Sequence, residues 1–363
     1  MGWGGKITHL AGSLRVRFQA IRAFYRDSRI TMESRKSELE PIDPRTAQQL
    51  FLDHKETECT ESTVRNHRYH TNEFVAWCEE NDVDNLNDLT GRDLQALRLW
   101  RKESGNINLM TLNNYMCSLR VFIKWCGPIE AVPENLYDKV MVPRISPEDQ
   151  QAEDTLDAET AKEILAYLST FHYASVEHAM LGLLWESGMR IGAAHGLDVD
   201  DVDLAEEQLQ LVHRPSEGTT LKNGSGGERP IAITADFADV LDAYIERIRK
   251  DVPDDHGRDP LFTTSHGRMS RTSMRRIVYK VTAPCFRNEP CPDCTERLSE
   301  RCPEAVNPHA VRRGSITHYL TQDIPVEIVS DRMNVSRDVL DKHYDQRTEQ
   351  VKLEQRRGYL ENI

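Results

Sequence analysis

No stretch of this sequence is apolar for long enough to cross a bilayer. The longest run, Ala179 to Trp185, falls far short of the roughly 20 residues that a spanning helix needs. The N-terminus does not read as a secretion signal either, because Met1 to Gly5 leads into an arginine-bearing segment rather than an apolar core. These two absences predict a cytoplasmic protein without a membrane partner. A basic surplus is also missing. Lys and Arg number 46 against 59 Asp and Glu, a formal net charge of -13, which is unpromising for nucleic acid because phosphate affinity comes from cations. Lysine is scarce beside arginine, and acids crowd Ser146 to Asp157 and Asp198 to Glu207. That bias suits the strongly hydrated acidic surface of a halophilic protein. Net charge says nothing, however, about where the cations stand.

The length of 363 residues holds two domains, each able to bury a core. Residues 1–40 form a basic extension, in which Leu10, Leu14, Phe18 and Ile21 recur at helical spacing. Residues 41–145 read as helices throughout. Thr60 to Thr63 offers caps for a helix with Val64, Thr71, Phe74, Val75 and Cys78 on one face. A shorter helix follows Thr90 through Leu94, Leu97 and Leu99. The clearest stripe is Leu112, Tyr115, Met116, Leu119, Phe122, Ile123 and Cys126, with Asn113, Asn114, Arg120 and Lys124 opposite. Residues 146–156 read as a polar linker. From 157 to 350 helices (Ala158 to Leu168, Glu177 to Trp185) surround two alternating segments, Gln208 to Val212 and Arg229 to Ile233, on either side of a glycine-rich turn at Asn223 to Gly227. Residues 351–363 form a tail. The expected fold is mainly α with a small β-hairpin or sheet.

The eight cysteines fall into two groups. Cys59, Cys78, Cys117 and Cys126 are scattered through helical sequence and are expected to be buried thiols. Cys285, Cys291, Cys294 and Cys302 are clustered around a Cys-Pro-Asp-Cys knuckle. Four thiolates are what a closed structural zinc site requires, and they leave no open position for catalysis. The alternative is a loop of free thiols.

Four pieces of the second half stand in order. Arg190 follows Gly188 at a helix junction; Lys222 sits at the rim of the glycine-rich turn, ahead of Arg229-Pro230-Ile231; His309 and Arg312 are three residues apart; and Tyr344 comes late. Each is unremarkable alone. In this order they resemble the tyrosine recombinase (phage integrase, Xer-like) family, here an archaeal-type member with a cysteine-rich insert. The resemblance implies a mixed α/β catalytic domain over 157–350 and a SAM-like, DNA-binding core-binding domain over 41–145. It also implies a homo-tetramer on double-stranded DNA, and cleavage and rejoining through a 3′-phosphotyrosine with no cofactor.

The chemistry is consistent with those residue types. Arg190 and Arg312 would hold the non-bridging oxygens of a phosphodiester as charge gathers there. A free phenol titrates near pH 10, so Tyr344 as nucleophile needs a proton acceptor, for which His309 is suited. Lys222 would protonate the leaving oxygen. Two positions depart from the family pattern. The place usually held by His or Trp before the tyrosine falls on Val335, or on Asn334 with a one-residue shift, and only Asn334 could donate a hydrogen bond to phosphate. The acid usual after the first arginine is replaced by Ala193. Other histidines, His195, His318 and His343, are expected to be packing or surface residues. Two competing readings are a type IB topoisomerase and a catalytically weakened DNA-binding accessory protein.

Overall fold

A computed structural model describes residues 39–146, 154–291, 302–322, 324–345 and 347–360. The basic extension, most of the linker and Cys294 lie outside them. Contacts divide the chain into two compact units, residues 1–150 and 151–363. Among the described residues no helix is long and apolar enough to cross a membrane.

In the first unit the chain folds into α1 (Pro44–Glu58), α2 (Glu61–Glu80), α3 (Gly91–Ser104) and α4 (Leu109–Cys126). Local sequence fixes most of the starts. Asp43 caps α1 ahead of Pro44, Thr90 and Asp93 form a reciprocal capping box on α3, and Asn108 caps α4. The whole α4 stripe from Leu112 to Cys126 is buried. Its polar face is partly occupied by the chain that follows: Asn113 donates to the Pro143 carbonyl at 2.7 Å and Arg120 to that of Val140 at 2.5 Å. One expectation fails here. Of the four scattered thiols only Cys78 and Cys126 are buried; Cys59 is half-buried and Cys117 exposed, because Cys117 stands one turn after Asn113 on the polar face.

The second unit begins with α5 (Ala158–Phe171), α6 (Val176–Ser187) and α7 (Ile191–Gly196). Helix α6 is apolar nearly all round and buries Ala179 to Leu184, as befits a central helix. A three-stranded antiparallel sheet follows in the order β1 (Val202–Asp203), β2 (Gln208–Leu211), β3 (Arg229–Ala232), with Leu209 opposite Ile231. Residues 212–228 join β2 to β3 as a long loop that includes the glycine-rich turn. It holds a bridge between Arg214 and Thr219 and a short 3-10 turn at Gly224–Gly227. Next come α8 (Ala235–Arg247), a hairpin of β4 (Thr263–Thr264) and β5 (Gly267–Arg268), and α9 (Arg271–Thr282). The unit closes with α10 (Pro308–Thr321), α11 (Val326–Met333), α12 (Arg337–His343) and α13 (Glu349–Leu360). Helices α5, α8, α9 and α10 all pack on α6. The architecture is mainly helical with a small antiparallel sheet, as expected.

An enclosed ion network ties the β2–β3 loop to the β4–β5 hairpin. Arg214 forks onto Asp201 at 2.6 and 2.9 Å, Arg258 reaches Asp254 at 2.9 Å, and Arg268 contacts both Asp254 and Asp198. Burial would raise the Asp254 carboxyl, but hydrogen bonds from Arg268 and the Arg258 charge outweigh it and hold the group well below the usual carboxylate range. Every cation of this network has its acid.

Candidate active site

Gly188 ends α6 in the left-handed region, at φ +59°. The chain then extends so that Arg190 becomes the N-cap of α7. Glycine is required twice over: a Cβ at this position would lie 1.9 Å from the Met333 sulfur. The Gly188 carbonyl accepts a 2.6 Å hydrogen bond from Nη1 of Arg312. The glycine of the Gly-x-Arg sequence thus supports both arginines.

Helix α10 starts at an Asn307 cap, whose Oδ1 accepts from the amides of His309 and Ala310. Three residues apart, His309 and Arg312 lie on one helical face. His309 is exposed, whereas Arg312 is only 1% exposed. Its Nη2 donates to the Met333 carbonyl at 2.8 Å. Burial, and then the neighbouring Arg190 charge, lower the Arg312 pKa; an arginine tolerates this and stays charged.

Tyr344 follows α12 and is 4% exposed, packed with Ile316, Leu320, Met333, Val335 and Leu340. Its carbonyl accepts from the Thr317 hydroxyl at 2.8 Å. The phenol oxygen lies 3.3 Å from Nε2 of His309, and the Arg312 guanidinium sits 5.4 Å from the ring centre. A tyrosine hydroxyl therefore has an imidazole acceptor and a fixed cation at hand. Among the described residues neither Arg190 nor Arg312 makes an ion pair with a carboxylate.

Asn334 caps the end of α11 at φ 47°. Its carbonyl accepts from Nη1 of Arg190 at 3.2 Å, a brace for Arg190 where Ala193 offers none. Its side-chain oxygen accepts from Asn223 Nδ2 at 2.8 Å, and its amide nitrogen lies 3.5 Å from the Gly226 carbonyl. Val335, the other candidate for that slot, is 5% exposed and belongs to the apolar cluster around Tyr344. The loop residue before Asn223 is Lys222, which stands exposed. Tyr344 contacts His309 and Arg312, Arg190 contacts Asn334, and the successive carbonyls of Met333 and Asn334 bring the two arginines side by side; Lys222 rides on a loop tied to Asn334 through Asn223. Two contributors were not foreseen, Asn223 and Arg229. The second donates from Nε to the Arg332 carbonyl at 2.8 Å.

The remaining histidines are placed unevenly. His318 stacks on Trp185 at 5.6 Å, and the His343 side chain lies outside the described residues. His195 is partly buried with its Nδ1 unpartnered among the described residues, and burial beside Arg271 and Arg268 pushes its pKa down to about 4. Of the clustered cysteines, Cys285 and Cys302 are buried together beside Ala283, with Cys291 against them. The sulfurs of Cys291 and Cys302 are 3.5 Å apart. That is too far for a disulfide, and close to the edge of about 3.8 Å that four sulfurs around one zinc would define. Among the described residues no group of three or more metal-ligating side chains converges.

A model described as the phage integrase family matches residues 154–350, more than half of the chain, and one described as the phage integrase N-terminal SAM-like domain matches residues 49–126. The tyrosine recombinase XerC of Herpetosiphon aurantiacus is 22% identical over 72% of this chain and 77% of its own length. XerD of Mycobacterium leprae is 29% identical over 43% of each, so the chain spans under half of that relative in the match. Among solved structures, the Tn1549 transposon integrase in complex with transposon right end DNA superposes with a TM-score of 0.62 at 15% identity, covering 89% of this chain and 99% of that one. A lambda integrase bound to a COC′ core site gives 0.62 at 12% identity, covering 90% and 85%.

Proposed function

The chain belongs to the phage integrase family, and from that membership and the contacts around Tyr344 we propose how it works as a site-specific tyrosine recombinase on DNA. The observation that carries the reading is the Tyr344 hydroxyl set between His309 at 3.3 Å and the Arg312 guanidinium. Arg190 and Arg312 hold the non-bridging oxygens of the scissile phosphate and stabilise the charge that builds on them. His309 takes the phenol proton as the oxygen attacks phosphorus. The bond to the 5′-oxygen breaks, with Lys222 giving that oxygen its proton, and a 3′-phosphotyrosine remains. Reversal by a 5′-hydroxyl from another strand rejoins the DNA without an external energy source. Asn334 offers its amide N–H as the phosphate donor in the slot usually held by His or Trp, turning from the Gly226 carbonyl that it faces at 3.5 Å. The exchange takes place in a homo-tetramer on double-stranded DNA.

The test is covalent trapping. Full-length protein is mixed with nicked duplexes tiled from the DNA flanking its gene, and adducts are resolved under denaturing conditions. An adduct that disappears in Tyr344→Phe supports the assignment. Binding without any adduct would refute it in favour of an accessory protein, and relaxation of plasmids regardless of sequence would favour a topoisomerase. Unchanged trapping in Asn334→Ala would remove Asn334 from the phosphate contacts.

The cysteine cluster is a second, separate proposal. Cys285, Cys291, Cys294 and Cys302 hold a structural zinc ion, for which the Cys291–Cys302 spacing and the burial of Cys285 and Cys302 are the support. The metal would stiffen the chain leading to His309 and take no part in the reaction. Metal content of protein purified without chelator, together with melting before and after chelation, tests it.

A further inference from the structure

Three consecutive carbonyls at the end of α11 each accept from a different guanidinium. Arg332 receives Nε of Arg229 at 2.8 Å, Met333 receives Nη2 of Arg312 at 2.8 Å, and Asn334 receives Nη1 of Arg190 at 3.2 Å. The last carbonyls of a helix lack intrahelical partners and carry partial negative charge, so this terminus suits cations. Two of the three arginines are the proposed phosphate clamp. The third, Arg229, also donates from Nη1 to the Gly227 carbonyl at 2.9 Å. With Nε and Nη1 both committed, the plane of its guanidinium is fixed, and Nη2 is the edge without a protein partner among the described residues.

Charge matching separates this cluster from the rest of the unit. Arg214, Arg258 and Arg268 are similarly enclosed, yet each meets a carboxylate within 2.9 Å. Among the described residues Arg190, Arg229 and Arg312 have carbonyl partners and no ion pair. Burial, and then the charges of Arg312 and Arg190, push the Arg229 pKa down to about 10, with Asp331 offsetting only part of the effect. Three like charges gathered with no acid at contact distance among the described residues lower stability unless an anion joins them. Strand geometry adds a further reason: Arg229 shares the face of β3 with buried Ile231, so its stem is directed inward rather than to solvent.

We propose that Arg229 is a third guanidinium of the phosphate clamp, offering its Nη2 edge to the same DNA phosphate that Arg190 and Arg312 hold. The proposal rests on the reading of those two arginines given above. Because Arg229 also bonds Gly227 in the loop that carries Lys222, phosphate capture by its free edge would hold that loop, and with it the proposed proton donor, against the site.

The experiment uses the full chain and inorganic tungstate, a small oxyanion with no sequence requirement, titrated calorimetrically at constant ionic strength. Arg229→Gln is expected to weaken tungstate binding about tenfold, the equivalent of one charge-assisted hydrogen bond, and Arg229→Lys by less. Arg312→Gln is the reference. If Arg312→Gln abolishes binding while Arg229→Gln stays within twofold of the unmodified protein, the proposal for Arg229 is overturned and the clamp stands. If the unmodified protein binds no tungstate, or Arg312→Gln has no effect, the clamp reading falls and takes the proposal with it. Should Arg229→Gln melt too low to titrate, Arg229→Lys decides: it keeps the charge but cannot reach two carbonyls and an anion at once, so unaltered affinity overturns the proposal.

Discussion

Replacing Gly188 by alanine should damage this protein far more than the same change four residues later at Gly192. Gly188 sits at φ +59°, and an added Cβ would lie 1.9 Å from the Met333 sulfur, 2.7 Å from its methyl and 3.1 Å from the Ser315 hydroxyl. The left-handed backbone costs alanine about 1–2 kcal/mol, and forcing a methyl into a filled space costs roughly 1–3 kcal/mol more. Met333 is fully buried, so its sulfur has little room to retreat. A total of about 2–5 kcal/mol converts, at roughly 2–4 °C per kcal/mol for a domain of this size, into a melting point lower by about 4–20 °C. At Gly192 the added methyl meets nothing within 4 Å and lies in a helix, where alanine is favoured by up to about 1 kcal/mol. Gly192→Ala should therefore melt at or slightly above the parent temperature. The two variants should differ in chemistry as well. The Gly188 and Met333 carbonyls are the two anchors of Arg312, and a displaced clamp of this kind can slow the reaction on the order of a hundredfold. Differential scanning calorimetry and the rate of adduct formation on a trapped duplex measure both effects. Melting within 2 °C of the parent, with unchanged trapping, would refute the claim that the arginine junction depends on a left-handed glycine.

Tyr344→Phe should lower the melting point by no more than a few degrees, since it removes the 3.3 Å contact with His309 and the interaction with Arg312 but keeps the ring packed, while adduct formation disappears; a large melting shift would mean that the phenol is structural. His195, with its pKa pushed down to about 4, binds its proton more weakly folded than unfolded, where imidazole titrates near 6.5. Stability should therefore fall as pH drops from about 6.5 to 4, by up to about 3 kcal/mol at 1.36 kcal/mol per pH unit, and His195→Leu should flatten that part of the denaturation-midpoint profile. Chelation of protein purified with its zinc should lower melting by several degrees, whereas Cys285→Ser protein should melt low with or without chelator; metal-free protein with unaltered melting would dismiss the zinc site.

The helical periodicities and the ordered chemical residues were legible because each depends on local spacing. The α4 stripe is buried from Leu112 to Cys126, and His309 and Arg312 share a face because they stand three apart. The two-residue strands were not legible, since β1, β4 and β5 are too short for alternation to register. The glycine-rich turn between β2 and β3 was legible, but the Arg214–Thr219 bridge and the ion network that hold the rest of the connection had no local pattern to announce them. Arg229 did leave a trace. It has the same strand parity as Ile231, and a cation on the inward parity of a strand is a sign of something to bind. What no local pattern could show was that the end of α11 would supply three successive carbonyls to arginines drawn from three different parts of the chain.

That arrangement also answers the objection raised by the net charge of -13. Charges on a hydrated surface are screened within about 10 Å at moderate salt, and enclosed charges much less. A phosphate entering the proposed clamp therefore responds chiefly to the nearest groups, and among the described residues those are guanidiniums with no acid in contact. Elsewhere in the same unit Asp198, Asp201 and Asp254 neutralise their arginines at contact distance, so that network projects little field. An acidic protein can capture a polyanion when its acids are spent on their own partners or left in water while a few cations are withheld from pairing. Backbone carbonyls achieve the withholding here. They accept from one or two N–H groups of each of Arg190, Arg229 and Arg312 and fix their orientation while leaving the positive charge in place. A carboxylate in the place of Ala193 would brace Arg190 more firmly but cancel part of that charge. The Asn334 carbonyl braces it and cancels none.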